Sequence, residues 1–426
     1  MTNSLFRQIN LFQMRIFFLC ISFFLLTQIS AQNYGCTDAN ATNFNPNATV
    51  NDGSCLYSVI NYKPTYITNL EATLNESSAL INDKNNFWTL NDSGNLNALY
   101  QINAINGSVI RTVTIKNAVN TDWESIAQSD THLFIGDFGN NSGTRKNLRI
   151  LKVSKNDLAN TADETVTAEI IDFTYSDQTT FNSTPNATNF DGEALIFVHD
   201  SLHIFSKNWA NLKTKHYRLS ANAGSTVATL QEEFNVGGLI TDASISPETG
   251  NIVLIGYKNG PLYSCFSWLL SNYQGSNFFS GNKRLIELGS SLSLGQTEGI
   301  SLKSDNTGFF TSEQASNSYL TIPPKLHSFN FKNYFGTNTT DIFEIKDPSN
   351  RTYPNPCTNQ ITIECNDKSN PTYFSIYNMV GSKVVQGELV SKNNCINLKL
   401  LQKGSYVINF EGNNNQIIKM IKLLKL

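Results

Sequence analysis

The sequence lacks the short motifs that commonly identify a catalyst. Its 426 residues contain no H-E-x-x-H, G-x-S-x-G, Walker or dinucleotide-binding motif. The seven cysteines include no C-x-x-C pair, so neither a zinc ribbon nor a thioredoxin-like site is expected. The five histidines are scattered along the chain. No nucleophile or general base stands out, which favours a binding protein over an enzyme and leaves catalytic residues unassigned.

Long apolar runs are also scarce, and the one that occurs lies at the N-terminus. Residues 16–26 form an apolar run that is too short to span a bilayer well, and Arg7 and Arg15 precede it. Residues 29–31, Ile-Ser-Ala, offer a small-residue cleavage site. Residues 1–31 are therefore predicted to be a secretory signal peptide. No transmembrane segment is expected after its removal.

Basic residues are too few for a nucleic-acid partner. The chain has 31 Lys and Arg against 34 Asp and Glu, and the predicted signal peptide would remove two arginines and no acid. The remaining 29 basic and 34 acidic residues give a net charge of about −5 (29 − 34). Because nucleic-acid binding needs a basic surface, no nucleic-acid partner is expected.

The residues that are abundant favour strands. Asn, Thr and Ser are common, and 27 Phe and 16 Tyr are present, whereas strong helix formers are few. This composition predicts an all-β chain of short strands joined by polar turns. The sequence patterns divide the mature chain into a small module at residues 33–57, a repeat region at 60–346 and a C-terminal domain at 350–426.

The small module is bracketed by Cys36 and Cys55. Its G-C-T-D start and D-G-S-C end resemble a module that is common in secreted Bacteroidota proteins, and the resemblance implies a Cys36–Cys55 disulfide. Side-chain oxygens suitable for Ca²⁺ lie on Asp38, Asn43, Asn45 and Asp52. The alternative is a disulfide-closed spacer in which these residues only make turns. Elsewhere, Cys265 is expected to be buried and inert, and Cys365 and Cys395 are candidates for a pair, with Cys357 nearby.

The repeat region contains five segments with the same layout, namely an acidic and small-residue opening, a strand, a turn and a second strand. They open at Glu76, Asp122, Asp191, Thr241 and Thr297. Repeats of about 45 to 70 residues in an all-β chain are typical of a β-propeller. The fifth repeat lacks an outer strand, which residues 66–70 would supply by closing the ring. We therefore predict five four-stranded blades, with six blades as the alternative.

Acidic residues recur at the openings of the repeats. In antiparallel blades these residues would meet at one mouth of the central channel. Clustered carboxylates repel one another unless a cation neutralises them, so the pattern predicts a Ca²⁺ site. The predicted metal ligands are Asp122, Glu124, Glu193, Asp242 and Glu298. The alternative is that these acids accept hydrogen bonds from neighbouring strands or are solvated.

Two lysines interrupt the acidic pattern at the ends of second strands. The predicted ligand contacts at the mouth are these lysines and two nearby tryptophans, Lys207, Lys258, Trp123 and Trp209. Two functions follow from this arrangement. One is a binding propeller of unknown ligand, and the alternative is a hydrolase in which Ca²⁺ polarises an ester or phosphoester.

Two short loop motifs in the repeat region resemble those of known protein families. Residues 91–95, Asn-Asp-Ser-Gly-Asn, and 136–141, Gly-Asp-Phe-Gly-Asn-Asn, resemble the propellers of the SdiA-regulated and esterase-like phytase families. The resemblance implies a propeller fold for the repeat region. The D-A-x-D-D-P-A pattern of propeller phytases is absent, which argues against phosphate-ester chemistry.

The C-terminal domain shows period-two alternation and turn residues, which predict a small Ig-like β-sandwich. It also carries ordered motif residues, Tyr353, Pro354, Asn355, Pro356, Gly381, Gly404 and Tyr406. In this order they resemble the C-terminal sorting domain of the type IX secretion system of Bacteroidota. The resemblance implies export by that machinery to the outer cell surface or the medium. The alternative is an ordinary Ig-like module.

Overall fold

A computed structural model of the chain describes residues 32–335 and 350–426, apart from 84–85, 161–163, 182–183, 259–263, 317–320, 366–372, 379–381 and 412–416. The predicted signal peptide and Gly381 of the predicted sorting motif lie outside the described residues. Within these ranges, the helices are α1 (Lys155–Ala159), α2 (Ser291–Leu294) and the 3₁₀ turns at Ala72–Leu74 and Phe278–Ser280. No helix within the described ranges is long and apolar enough to cross a membrane. The prediction of an all-β fold is confirmed.

The first strands belong to the N-terminal segment. They are β1 (Tyr34–Gly35), β2 (Val50–Asn51), β3 (Ile60–Asn61) and β4 (Thr65–Asn69). Five sheet units follow in the repeat region. Unit 1 contains β5 (Ile81–Asp83), β6 (Asn86–Thr89), β7 (Ala98–Asn103) and β8 (Val109–Ile115). Unit 2 contains β9 (Trp123–Gln128), β10 (His132–Asp137), β11 (Leu148–Ser154) and, after the short β12 (Thr165–Val166), β13 (Glu169–Tyr175).

The remaining units have the same layout. Unit 3 contains β14 (Asp191–Val198), β15 (Ser201–Lys207), β16 (Thr214–Ser220) and β17 (Gly224–Phe234). Unit 4 contains β18 (Leu239–Ile245), β19 (Ile252–Lys258), β20 (Ser264–Ser271) and β21 (Asn282–Ser290). Unit 5 contains β22 (Gln296–Leu302), β23 (Thr307–Glu313), then a side hairpin of β24 (Ala315–Ser316) and β25 (Thr321–Ile322), and β26 (Lys325–Asn330).

The units pack side by side through shared apolar cores. The first strands contact one another in the order β5, β9, β14, β18 and β22, and β22 also contacts β5. A buried cluster lies between each pair of neighbouring units; for example, Trp88 of unit 1 packs with Ile126 of unit 2. The cluster that includes Phe87 and Leu326 joins unit 1 to unit 5. The alternating apolar residues of each strand thus serve the interfaces on both sides of every unit.

The outer strands carry additional pairings. As predicted, the N-terminal segment supplies the fourth strand of unit 5, because β4 pairs antiparallel with β26. Parallel partners cover three further edges, where β12 joins β8, β3 joins β21 and β13 joins β17. The last pairing merges units 2 and 3 into one eight-stranded sheet, which the repeat pattern did not predict.

The disulfide between Cys36 and Cys55 is present, as the resemblance implied. The module that it closes packs against unit 4. The Asn51 side-chain amide donates to Asn282 Oδ1 at 2.9 Å, and the Arg284 guanidinium lies 5.0 Å from the centre of the Tyr57 ring. The disulfide-closed module is therefore part of the packed structure.

The side-chain oxygens of the module make turns. Asp38 Oδ1 accepts from the backbone N–H of Asn40, and Asp52 Oδ1 accepts from that of Ser54. Asn45 Oδ1 accepts from the N–H of Asn47 in the same way, whereas Asn43 Oδ1 accepts from that of Leu56 across the module. Such bonds satisfy these oxygens locally, which favours the turn-forming alternative over a Ca²⁺ site here.

The C-terminal residues form two sheets around one apolar core. One sheet contains β27 (Asn350–Tyr353), β28 (Gln360–Cys365) and β31 (Asn393–Asn397). The other contains β29 (Tyr373–Asn378), β30 (Lys383–Glu388), β32 (Gly404–Glu411) and β33 (Ile417–Lys425). Cys395 is free, and the side chain of its candidate partner Cys365 lies outside the described part of the structure, whereas Cys265 is buried as expected.

The start of the predicted sorting motif is hydrogen-bonded to the last strand, β33. Asn355 Oδ1 accepts from the backbone N–H of Leu424 at 3.0 Å, and the Cys357 N–H donates to the Leu424 carbonyl. Tyr406 donates its hydroxyl to the Gln402 carbonyl at 2.8 Å. The motif residues therefore connect the start of the domain to its last strand.

Candidate functional site

Three carboxylates converge where unit 1 meets unit 2. Asp92 follows the last residues of β6, Asp122 precedes β9, and Glu124 lies within β9. Ligand oxygens of these three residues all lie within 4.8 Å of one another, and we call them the carboxylate triad. Asp122 and Glu124 are predicted metal ligands. Asp92 was not among the predicted metal ligands, although its position at the end of a second strand could have identified it.

Local hydrogen bonds bring the triad together. The Asn120 side-chain amide donates to the carbonyls of Asn91 and Asp92, and Asn120 Oδ1 accepts from the Trp123 N–H. Asn120 thus ties the end of unit 1 to the opening of unit 2. Because of this connection, the Asp92 carboxylate lies beside that of Asp122.

Gly139 of unit 2 packs closely against the carboxylates of the triad. A Cβ at this position would lie 2.4 Å from Glu124 Oε1 and 2.6 Å from Asp122 Oδ2. Its N–H donates to the Asp122 carbonyl at 3.2 Å, and its carbonyl accepts from Arg145. Only glycine therefore fits this close approach. In the sequence, Gly139 is the last residue of Gly-Asp-Phe-Gly, but its contact with the two carboxylates could not be predicted from that pattern.

Within the triad, the carboxylate of Glu124 has the fewest groups that could stabilise its negative charge. Its residue is 8% exposed, and among the described residues its carboxylate has neither a hydrogen-bond donor nor an ion-pair partner. Burial, followed by the charges of Asp92 and Glu193, raises the pKa of Glu124 well above its usual value. Burial and Asp92 also raise the pKa of Asp122 to about 7, against the opposing charge of Arg145. These carboxyls lack a sufficient counter-charge.

A second cluster lies beside the triad in unit 3. Lys207 Nζ is 3.0 Å from Glu193 Oε1 and 5.2 Å from the centre of the Trp209 ring. The Trp209 indole donates to Asp191 Oδ2 at 2.7 Å. The structure therefore brings together the predicted residues Glu193, Lys207 and Trp209.

Glu298 lies in the same acidic region but outside the triad. The Gln296 side-chain amide donates to Glu298 Oε1 at 2.8 Å and also to Glu313. Burial raises the pKa of Glu298 to about 7, although the charge of Lys207 opposes the shift. Glu298 thus has a neutral hydrogen-bond donor rather than a paired cation.

Asp242 has the hydrogen-bonded arrangement that was the alternative to metal binding. Its Oδ1 accepts from the Ser125 hydroxyl at 2.6 Å, and its Oδ2 accepts from the Ile300 N–H at 2.8 Å. The Asp242 residue is buried and connects units 2, 4 and 5. These bonds favour the hydrogen-bonded alternative over the predicted role of Asp242 as a metal ligand.

Two predicted ligand contacts lie elsewhere. Trp123 is 0% exposed and belongs to the apolar core between units 1 and 2, so its predicted contact with a ligand is wrong. Lys258 forms an ion pair with Glu287 of the outer strand β21 and does not join the triad. Period-two alternation cannot distinguish a side chain that faces the channel from one that faces a neighbouring sheet.

Residues 351–423 match the family of secretion system C-terminal sorting domains. The match supports the resemblance found in the sequence and marks the chain as a type IX secretion substrate, exported from the cell. No curated protein matches the chain significantly.

Similar solved structures include a secretion component and a glycosidase. PorZ, a surface component of the type IX secretion system of Porphyromonas gingivalis, is 12% identical with a TM-score of 0.28; the match covers 82% of this chain and 45% of PorZ, less than half of that protein. An exo-β-1,3-galactanase of Phanerochaete chrysosporium is 11% identical with a TM-score of 0.40, covering 85% of this chain and 99% of the galactanase. Likeness at this level supports neither a shared activity nor a shared site.

Proposed function

We propose that the chain is an exported five-bladed β-propeller that binds an extracellular ligand at the acidic end of its ring, followed by a small Ig-like sorting domain. The five sheet units, whose first strands contact in a closed order, support five blades rather than six. The sorting-domain match supports export. The carboxylate triad would hold a Ca²⁺ ion that takes part in ligand binding.

The observation that carries this proposal is the buried carboxylate of Glu124, which has no partner in the described part of the chain and lies beside two other acids. A buried charge without a partner is costly, so a bound cation would remove a large penalty. Ca²⁺ contacts its ligands at about 2.3–2.6 Å, so two ligands of one ion lie up to about 5 Å apart. The separations within the triad fit this limit.

The donor set also favours calcium. The triad offers only carboxylate oxygens, and Ca²⁺ prefers oxygen ligands, whereas zinc sites usually include His or Cys. Asp92 and Asp122 are only partly buried, so an ion there would face solvent on one side. An anionic group of an extracellular ligand would complete its coordination.

The test measures Ca²⁺ binding by calorimetry and thermal melting in Ca²⁺ or chelator. We expect Ca²⁺ to raise the Tm of the wild type by mass action on the folded state. Glu124→Gln should lose most of this rise, because a ligand oxygen is replaced by a poorer one. Glu313→Gln is the matched control, since it removes a half-buried carboxylate of the same acidic region that is not in the triad, and it should keep most of the rise. A wild type without calcium binding contradicts the proposal.

One observation favours a second function, the calcium-assisted hydrolysis of esters or phosphoesters. Glu298 lies in the acidic region outside the triad, and burial raises its pKa to about 7. Such a pKa suits proton transfer near neutral pH. A screen of small esters and phosphoesters with Ca²⁺ tests it, and activity that Glu298→Gln abolishes would favour the hydrolase over the binding protein.

A further inference from the structure

Lys207 occupies a position that is acidic in units 2 and 5 and that a second lysine, Lys258, occupies in unit 4. It ends β15, where its partner across the strand pair is Asp191. The corresponding residues at the ends of β10 and β23 are Asp137 and Glu313. Unit 3 therefore places a positive charge where units 2 and 5 place negative ones.

The Lys207 ammonium is enclosed. Its side chain is 9% exposed and that of Glu193 is 5% exposed, and Nζ lies 3.0 Å from Glu193 Oε1. The rings of Trp209 and Tyr257 lie 5.2 and 5.6 Å away. Burial disfavours the ammonium, but the charges of Glu193 and Glu298 outweigh it and raise the pKa of Lys207. The residue is charged at neutral pH.

The enclosed ammonium and the carboxylate triad are electrostatic neighbours. Glu124 is on β9 and Glu193 is on β14, and these two strands pack against each other. Through this contact the charges of Glu193 and of Lys207, whose Nζ lies 3.0 Å from Glu193 Oε1, reach Glu124. A cation held by the triad would therefore lie within range of both members of the Lys207–Glu193 pair. In a buried site of low dielectric constant such interactions are strong.

We infer that Lys207 acts as a built-in cation that sets the affinity of the triad for a divalent ion, opposed by Glu193. This inference rests on the proposed function. The ammonium repels the bound ion and the carboxylate attracts it. Because the two charges oppose each other, the pair leaves the site near the affinity of the triad alone, and the loss of either member shifts that affinity.

The test measures the Kd for Ca²⁺ by calorimetry in four variants. Lys207→Met should bind about ten-fold more tightly, and Glu193→Gln about ten-fold more weakly. The double variant should stay within about three-fold of the wild type, because both charges are removed. Lys258→Met is the matched control, since that lysine pairs with Glu287 on an outer strand, and it should keep the wild-type Kd.

Opposite signs separate this role from a structural one, because both single variants break the same ion pair. A shift of both in one direction, or no shift in either, overturns the inference. If Lys207→Met does not fold in chelator, Glu193→Gln and the double variant decide by the same criteria. A wild type that binds no Ca²⁺ overturns the proposed function together with this inference, whereas equal affinities in a wild type that binds Ca²⁺ overturn the inference alone.

Discussion

At the scale of single residues, a buried carboxylate is tolerated where hydrogen bonds or a charge partner replace the lost water. Asp242 has such bonds, from the hydroxyl of Ser125 and the N–H of Ile300. Glu124 has none within the described part of the chain. Two acids with the same sequence pattern thus serve different purposes, one in the fold and one in the candidate site.

Asp242→Ala should destabilise the protein by roughly 2–4 kcal/mol, because two buried donors lose their acceptor. Urea unfolding in chelator and in Ca²⁺ measures the effect. The loss should be equal in both buffers, since the carboxylate is satisfied by protein groups. A loss confined to Ca²⁺ would restore Asp242 to the metal ligands.

His327 supplies a pH dependence. It is buried and stacked on Phe310 at 4.9 Å, and burial lowers its pKa to about 4 from the usual 6.5. Between these values the unfolded chain binds a proton that the folded chain does not, so stability falls as the pH decreases below 6.5. Between pH 7.5 and pH 5, the free energy of unfolding of His327→Phe should decrease by roughly 1–2 kcal/mol less than that of the wild type. Urea unfolding at both pH values measures this, and an unchanged pH dependence contradicts it.

At the scale of elements, the N-terminal segment stabilises units that lie far along the chain. The disulfide-closed module contacts unit 4, and β3 extends the edge of β21. The segment therefore belongs to the packed structure.

Replacement of Cys36 and Cys55 by Ser should lower the Tm, with a loss of roughly 1–3 kcal/mol, because the unfolded module gains conformational freedom and its docking weakens. Cys395→Ser is the control, since that free cysteine is exposed. Calorimetric melting of the oxidised proteins measures the difference. Equal melting of both variants would mean that docking contributes nothing.

The elements that the sequence could predict are those with a side-chain signal. Periodicity predicted the paired strands of the five units, and an unpaired edge predicted the closing strand β4. The parallel pairing of β13 with β17 could not be predicted, because backbone hydrogen bonds at a sheet edge leave no pattern in side chains.

The candidate site was predicted in part for the same reason. The acidic openings predicted Asp122 and Glu124. Asp92 reaches the triad through a loop whose course depends on the bonds of Asn120. Trp123 and Asp242 lie on the same kind of strand but face neighbouring units, a distinction that depends on how the sheets pack.

At the scale of the whole molecule, the five units and the C-terminal domain have separate apolar cores. Deletion of residues 353–426 should leave the units folded but retain the protein in the periplasm of a type IX-competent host, because the sorting domain is missing. Fractionation and immunodetection measure the distribution, with Cys395→Ser as a full-length control. Normal yield of the truncated protein outside the cell would contradict the sorting role.

The closure of unit 5 by β4 also has a consequence for the order of folding. The paired residues Asn69 and Lys325 lie at opposite ends of the repeat region, so closing this loop carries a large entropic cost. Topologies with such distant contacts fold slowly. The last sheet can form only when almost the whole region is present in one compartment, so completion of the ring waits until its final strand is available after export.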